Sequence, residues 1–117
     1  MQYDPNRPIW LQVMTDLQTE IATGKRAPGS KLPGGRDLAM TYSINPNTAA
    51  RVYQELEKEG LCETRRGLGT FVTENEQHIV SLREGMARQA VRDFLERMAV
   101  LGISPEQAVE MIRKQED

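Results

Sequence analysis

Three features of this sequence predict a mainly α-helical fold with one small β-hairpin, continued by a two-helix C-terminal segment. The run from Asn45 to Gly60 opens and closes like a helix, and two strand-like runs meet around glycines just after it. Further on, apolar residues recur at helical spacing from Ile79 to Leu101.

In the first of these runs Asn45 can cap the helix, Pro46 occupies the first helical position, and Gly60 stands where a left-handed residue ends it. Ala49, Val52, Tyr53 and Leu56 form an apolar stripe, so Asn47, Thr48 and Arg51 face outward. The first turn carries no acid. Such a tip can enter a DNA major groove, where a carboxylate would meet phosphate charge. Taken alone, these residues are better read as an ordinary capped surface helix, and the neighbours on both sides change that balance.

Upstream, an extended Asp4-Pro5-Asn6-Arg7 arm leads into a helix from Pro8 to about Thr23, with Ile9, Val13, Leu17 and Ile21 inward and Trp10 and Met14 beside them. Trp10 reads as a core or interface residue. Ala27 to Gly35 is a loop by its prolines and glycines, and Gly34-Gly35 lacks the Gly-Lys-Ser/Thr that a nucleotide cradle needs. Arg36 to Tyr42 is a short helix with Leu38, Ala39 and Tyr42 inward. Arg36 falls in its first turn, beside backbone N–H groups that attract phosphate, although a solvated charge explains it as well. Ser43-Ile44 then turns the chain into the Asn45 helix, which makes a helix-turn-helix.

Downstream, Leu61 to Arg66 and Thr70 to Thr73 read as strands around Gly67-Leu68-Gly69. A hairpin in this position is a wing. Gly67 and Gly69 let its backbone approach a groove, and Arg65 and Arg66 reach phosphates or the minor groove.

After the polar joint Glu74 to Gln77, Ile79, Leu82, Met86, Ala90, Phe94, Met98 and Leu101 follow the helical period, flanked by Val91 and Leu95. Gly102 ends this helix of about six turns. Ser104-Pro105-Glu106-Gln107 is a capping box that opens a last helix. Two such helices are too small to enclose a ligand pocket, but they can bury their stripes against a second copy of the chain. Ile79, Leu82, Met86, Ala90, Phe94, Leu95, Met98 and Leu101 are therefore the candidate dimerisation residues. The domain organisation that follows is a winged helix-turn-helix over residues 1–73 and a dimerisation segment over 74–117.

Composition limits the function. With 5% aromatic residues the core must be aliphatic, and base-stacking platforms are not expected. A net charge of −2 argues against nucleic acid until it is mapped. From Lys25 to Thr73 there are eight basic against five acidic residues; from Glu74 to Asp117 there are six against nine. A basic half fits phosphate and an acidic half fits self-association. The single cysteine, Cys62, excludes an intrachain disulfide or a thiolate cluster and reads as a small buried hydrophobe. The single histidine, His78, lies in the polar joint with no obvious catalytic partner, and the acidic residues show no convergence. No enzyme activity, cofactor or metal is expected. The N-terminus lacks a signal-peptide pattern and no run is long enough to cross a membrane, so the expected location is cytoplasmic.

Several separated motifs, in order, resemble the GntR family of bacterial winged-helix repressors, especially its short YtrA-like branch. They are Pro8-Ile9-Trp10-Leu11-Gln12, Pro28-Gly29-Ser30-Lys31-Leu32-Pro33, Arg36-Asp37-Leu38-Ala39, Asn45-Pro46-Asn47-Thr48, Tyr53-Gln54-Glu55-Leu56-Glu57, Glu59-Gly60-Leu61 and Gly67-Leu68-Gly69-Thr70-Phe71-Val72. The resemblance implies a homodimer on a palindromic double-stranded operator, acting as a repressor, with transporter operons as frequent targets and a small-molecule effector of unidentified chemistry. It makes Arg36, Asn47, Thr48, Arg51, Gly67 and Gly69 the DNA-contacting positions, to which the residue reading adds Asn45, Arg65 and Arg66. This chain departs from the pattern at Gly34-Gly35, where a serine cap is usual, and at Pro46 and Ala50, where other branches carry arginines. The alternative function is a winged-helix module that binds protein without reading DNA sequence.

Overall fold

The structure is a computed structural model and describes residues 1–115. Its elements are α1 (Ile9–Ala22), α2 (Gly35–Tyr42), α3 (Pro46–Lys58), β1 (Cys62–Arg65), β2 (Gly69–Val72), α4 (Glu76–Val100) and α5 (Pro105–Lys114). They divide into two compact units, Met1–Arg83 and Glu84–Asp117.

In the first unit α3 follows its local signals. The Asn45 side chain accepts a hydrogen bond from the Asn47 N–H at 2.8 Å, Pro46 is the first helical residue, and Gly60 takes φ +73°. The predicted stripe Ala49, Val52, Tyr53 and Leu56 is buried, against Val13, Met14, Leu17 and Ile21 of α1 and Leu38, Ala39 and Tyr42 of α2. Ile9, expected inward, is 45% exposed. Each four-residue step overshoots the 3.6-residue turn by about 40°, so a stripe of four rotates off the core by its end.

The turn between α2 and α3 is held without glycine. Ser43 adopts φ 55°, and the Ile44 N–H donates to the Ala39 carbonyl at 2.9 Å while Ile44 packs on the core. Tyr42 donates to Asp16 Oδ2 at 2.5 Å, and the Tyr53 hydroxyl donates to the Pro33 carbonyl. These phenols tie α2 to α1, and α3 to the loop before α2.

β1 and β2 are antiparallel, with Cys62 opposite Val72 and Arg65 opposite Gly69. Arg66, expected in a strand, sits in the tip, because the Leu68 N–H bonds the Arg65 carbonyl at 2.8 Å and Gly67 at φ +77° closes the loop. The loop after α1 does more than connect. Gly29 donates to the Val72 carbonyl, Val72 to the Ser30 carbonyl, and Leu32 to the Thr70 carbonyl at 2.7 Å, so residues 29–32 strap the free edge of β2. Leu32 and Val72 are buried beneath that strap.

The N-terminal arm is also fixed. Gln12, the one buried polar residue among those described, exchanges two hydrogen bonds with the Asp4 backbone, each 2.9 Å, and donates to the Arg7 carbonyl at 3.0 Å.

Asn75 accepts hydrogen bonds from the Gln77 and His78 N–H groups and so starts α4 earlier than the apolar period requires. The helix runs 25 residues instead of about six turns. Its beginning belongs to the first unit, where Ile79 is buried and Leu82 packs on the core.

In the second unit Gly102 at φ +77° ends the helix and leads to α5. The capping box forms as expected: Ser104 Oγ accepts from the Gln107 N–H at 3.2 Å, and Gln107 Oε1 accepts from the Ser104 N–H at 2.8 Å. Ala108 is fully buried; Met86, Phe94, Leu95 and Met98 are half-buried; Val100 and Leu101 are 87% and 72% exposed. No helix among the described residues is long and apolar enough to cross a membrane.

Candidate nucleic-acid interface

The outward side chains of the helix-turn-helix come from three places. Arg36 projects from the first turn of α2, exposed and without an ion-pair partner among the described residues. Gly34 precedes that helix with no side-chain cap, so the first N–H groups of α2 are left without a capping side chain. Asn45 spends its carbonyl oxygen on capping α3, which leaves Asn47 exposed and Thr48 half-buried at the tip.

Arg51 is exposed one turn further, and its guanidinium carbon lies 4.1 Å from the centroid of the Trp10 ring. A cation over an aromatic ring is held by the ring's quadrupole and not by an acceptor atom, so Trp10 positions the guanidinium without a conventional hydrogen bond. The sequence placed Trp10 in a core or interface. The structure places it half-buried at the core margin, under the arginine. Nothing local foretells this pairing, because it joins residues 41 positions apart.

A shallow dent between α2 and α3 is lined by Arg36, Ala39, Met40, Ile44 and Pro46. It brings Arg36 beside Pro46 at the start of α3. Met40, which the sequence reading did not single out, is 78% exposed there.

On the wing the two arginines differ. Arg65 donates from Nη2 and Nε to Glu63 Oε1, at 2.7 and 3.0 Å, and lies 4.5 Å from the centroid of Phe71. Arg66 is exposed at the tip with no ion-pair partner among the described residues. Gly67 has open space around it. Gly69, at φ +121°, is crossed by a side chain: a methyl group there would come 2.8 Å from Lys31 Cε. Lys31 therefore joins the wing as a third cation, delivered by the strap. Its local sequence marks only a loop, since the long-range pairing of residues 29–32 with β2 is what brings it to the wing.

The other chemistry-bearing groups lie elsewhere. Cys62 is 4% exposed, and burial pushes its thiol up to about 12, with Glu57 adding in the same direction. Such a thiol is not a nucleophile near neutrality. His78 is exposed, with Nδ1 3.2 Å from the Gly60 carbonyl.

A capped helix free of acid in its first turn, a second helix bearing an unpaired arginine, and a cationic hairpin define a winged helix-turn-helix protein that binds double-stranded DNA. The model of the bacterial regulatory proteins of the gntR family matches residues 10–72, and the chain belongs to that family. It is a DNA-binding transcriptional regulator and not an enzyme. It is 35% identical over 112 residues to the uncharacterized HTH-type transcriptional regulator YhcF of Bacillus subtilis (strain 168), covering 96% of this chain and 93% of that protein. It is 34% identical over 119 residues to the HTH-type transcriptional repressor YtrA of the same organism, covering 97% and 90%. Among solved structures, a GntR family transcriptional regulator from Listeria monocytogenes superposes with a TM-score of 0.87 at 36% identity, over 96% of this chain and 98% of that one.

Proposed function

We propose that this regulator is a cytoplasmic repressor that binds a palindromic operator as a homodimer. In this reading residues 1–73 recognise DNA and residues 74–117 join two protomers, and a transporter operon is the target class. The observation that carries the dimer is the apolar surface of the second unit. Leu101, Val109, Met111 and Ile112 are each at least 45% exposed, and the half-buried Met86, Phe94, Leu95 and Met98 share that unit. Such a density of water-facing aliphatic groups on so small a unit is what a self-association surface requires. Ala90 is exposed on the same helix and leaves room for close approach of a partner. Ile79 and Leu82 contribute to the first unit's core, so the contact face begins after them.

Recognition of DNA is assigned to Arg36, Asn47, Thr48 and Arg51, with Asn45 ordering the tip, and to Arg65, Arg66, Gly67 and Gly69 of the wing. Repression is supported by the similarity to YtrA, a transcriptional repressor. Two-fold symmetry in the protein demands matching half-sites in the operator.

Light scattering on the intact chain tests the assembly and gel shifts test the reading. The expected results are a dimer mass and selection of an inverted repeat from random duplexes. A monomer that still binds one half-site at full affinity overturns the dimer, and equal affinity for every duplex overturns sequence recognition. A reporter whose promoter overlaps the selected site should lose transcription when the protein is supplied; a gain would replace repression by activation.

A further inference from the structure

The tip of α3 carries little positive charge of its own. From Pro46 to Tyr53 the only cationic residue is Arg51, whose guanidinium carbon lies 4.1 Å from the Trp10 ring centroid. The side chains left open at that end of the helix are those of Pro46, Asn47 and Ala50. Pro46 continues into the dent formed with Arg36, Ala39, Met40 and Ile44, and Met40 is 78% exposed there. Beside the α3 tip, then, lies a largely apolar dent that includes Pro46 and Met40, with the exposed Asn47 and Ala50 following Pro46 on the helix.

In a major groove only one base offers an apolar group, thymine through its 5-methyl. Its partner adenine presents N7 as acceptor and N6–H as donor, which an Asn carboxamide matches with one donor and one acceptor. Guanine presents two acceptors there and is matched by a cationic fork, which on this helix only Arg51 can supply, one turn away from the positions of Pro46 and Asn47. An ion-hydrated phosphate has no use for a thioether and a proline ring. The geometry points to an operator half-site that places A·T base pairs against this surface, with thymine methyl groups on Met40, Pro46 and Ala50 and an adenine edge on Asn47. Arg36, at the rim of the dent, serves the flanking backbone. The inference rests on the assignment of the α3 tip to base recognition made above.

The test uses the intact protein and its selected operator. Each thymine is replaced in turn by deoxyuridine, which keeps the base pairing and removes only the methyl. One or two positions in each half-site should weaken binding by about four-fold, the value of one methyl group taken from water. Met40→Ala, an exposed substitution that leaves the core untouched, should weaken the native operator by a similar factor at most and remove the deoxyuridine effect at one of those positions. Asn47→Ala should relax the choice of base at an A·T pair. The inference is overturned if the protein selects a defined operator yet ignores every deoxyuridine, or if the pairs that lose selectivity in Asn47→Ala are G·C. A protein that enriches no sequence at all overturns it together with the recognition role of α3, and the two failures are told apart by whether an operator emerges.

Discussion

Arg51 sits over Trp10, its guanidinium carbon 4.1 Å from the ring centroid, and so fastens α3 to the beginning of α1. An interaction of this kind at a partly exposed site contributes about 0.5–1 kcal/mol. Trp10 is the single tryptophan, so tryptophan emission reports on the surroundings of this one ring. Arg51→Ala should shift the emission of the free protein and lower stability by about that amount. Operator should perturb the emission of the native protein and leave that of Arg51→Ala almost unchanged. Identical spectra for the two proteins, with and without DNA, would refute the positioning role of the ring.

The wing arginines should separate in a salt titration. Arg65 is held by Glu63 at 2.7 Å, a pair open to solvent on both sides and therefore worth little to stability. Glu63→Gln removes a negative charge from the wing and releases the guanidinium, so operator affinity should rise and its dependence on salt steepen. Arg66→Ala should flatten the log–log slope by about 0.9, the value of one phosphate contact. Fluorescence anisotropy across a salt series measures both, and weaker binding by Glu63→Gln would show that the pair is needed intact.

Gln12 holds the N-terminal arm through three hydrogen bonds. Gln12→Ala leaves the Asp4 and Arg7 backbone groups without those partners and should destabilise the fold by about 1–3 kcal/mol. Amide exchange should accelerate at Asp4 before it does in α3. Unchanged exchange at Asp4 would mean that the arm is ordered by other contacts.

Stability should fall on the alkaline side. Burial raises the Tyr53 phenol from 10.0 to about 12, with Arg26 pulling it partly back, and the Cys62 thiol rises from 9.0 to about 12. Both groups are neutral in the folded state where the unfolded chain already ionises. Their contribution is complete below the unfolded values and is lost as pH climbs through about 9 and 10 toward 12. Urea midpoints should therefore drop between about pH 9 and pH 12. Tyr53→Phe is expected to lower the midpoint at pH 8 by removing the bond to the Pro33 carbonyl, and to make the further drop shallower. A drop of unchanged size would assign the effect to other groups.

How much could be read from residues alone follows the range of the interactions. α3 and α5 were legible almost to their ends, because Asn45, Pro46 and Gly60 in one, and Ser104, Pro105 and Gln107 in the other, act within a few positions of themselves. The hairpin was legible in its glycines but not in its register, which moved Arg66 from a strand into the tip. What stayed hidden depends on distant partners. Gln12 looks like any surface amide, Ile9 like part of a stripe, and Lys31 like a loop residue, until α1, the arm and β2 are brought together. Met40 was hidden for another reason. An apolar residue on a short helix is expected inward, and its exposure is informative only once the dent beside it is seen.

The strap of residues 29–32 along β2 carries a consequence for how DNA is met. With Leu32 buried and three backbone bonds joining that segment to the hairpin, the wing is ordered before any ligand arrives. Association then need not freeze a loose segment, so its heat-capacity change should match the surface covered and nothing more, and encounter rates should respond to ionic strength as for two preformed bodies.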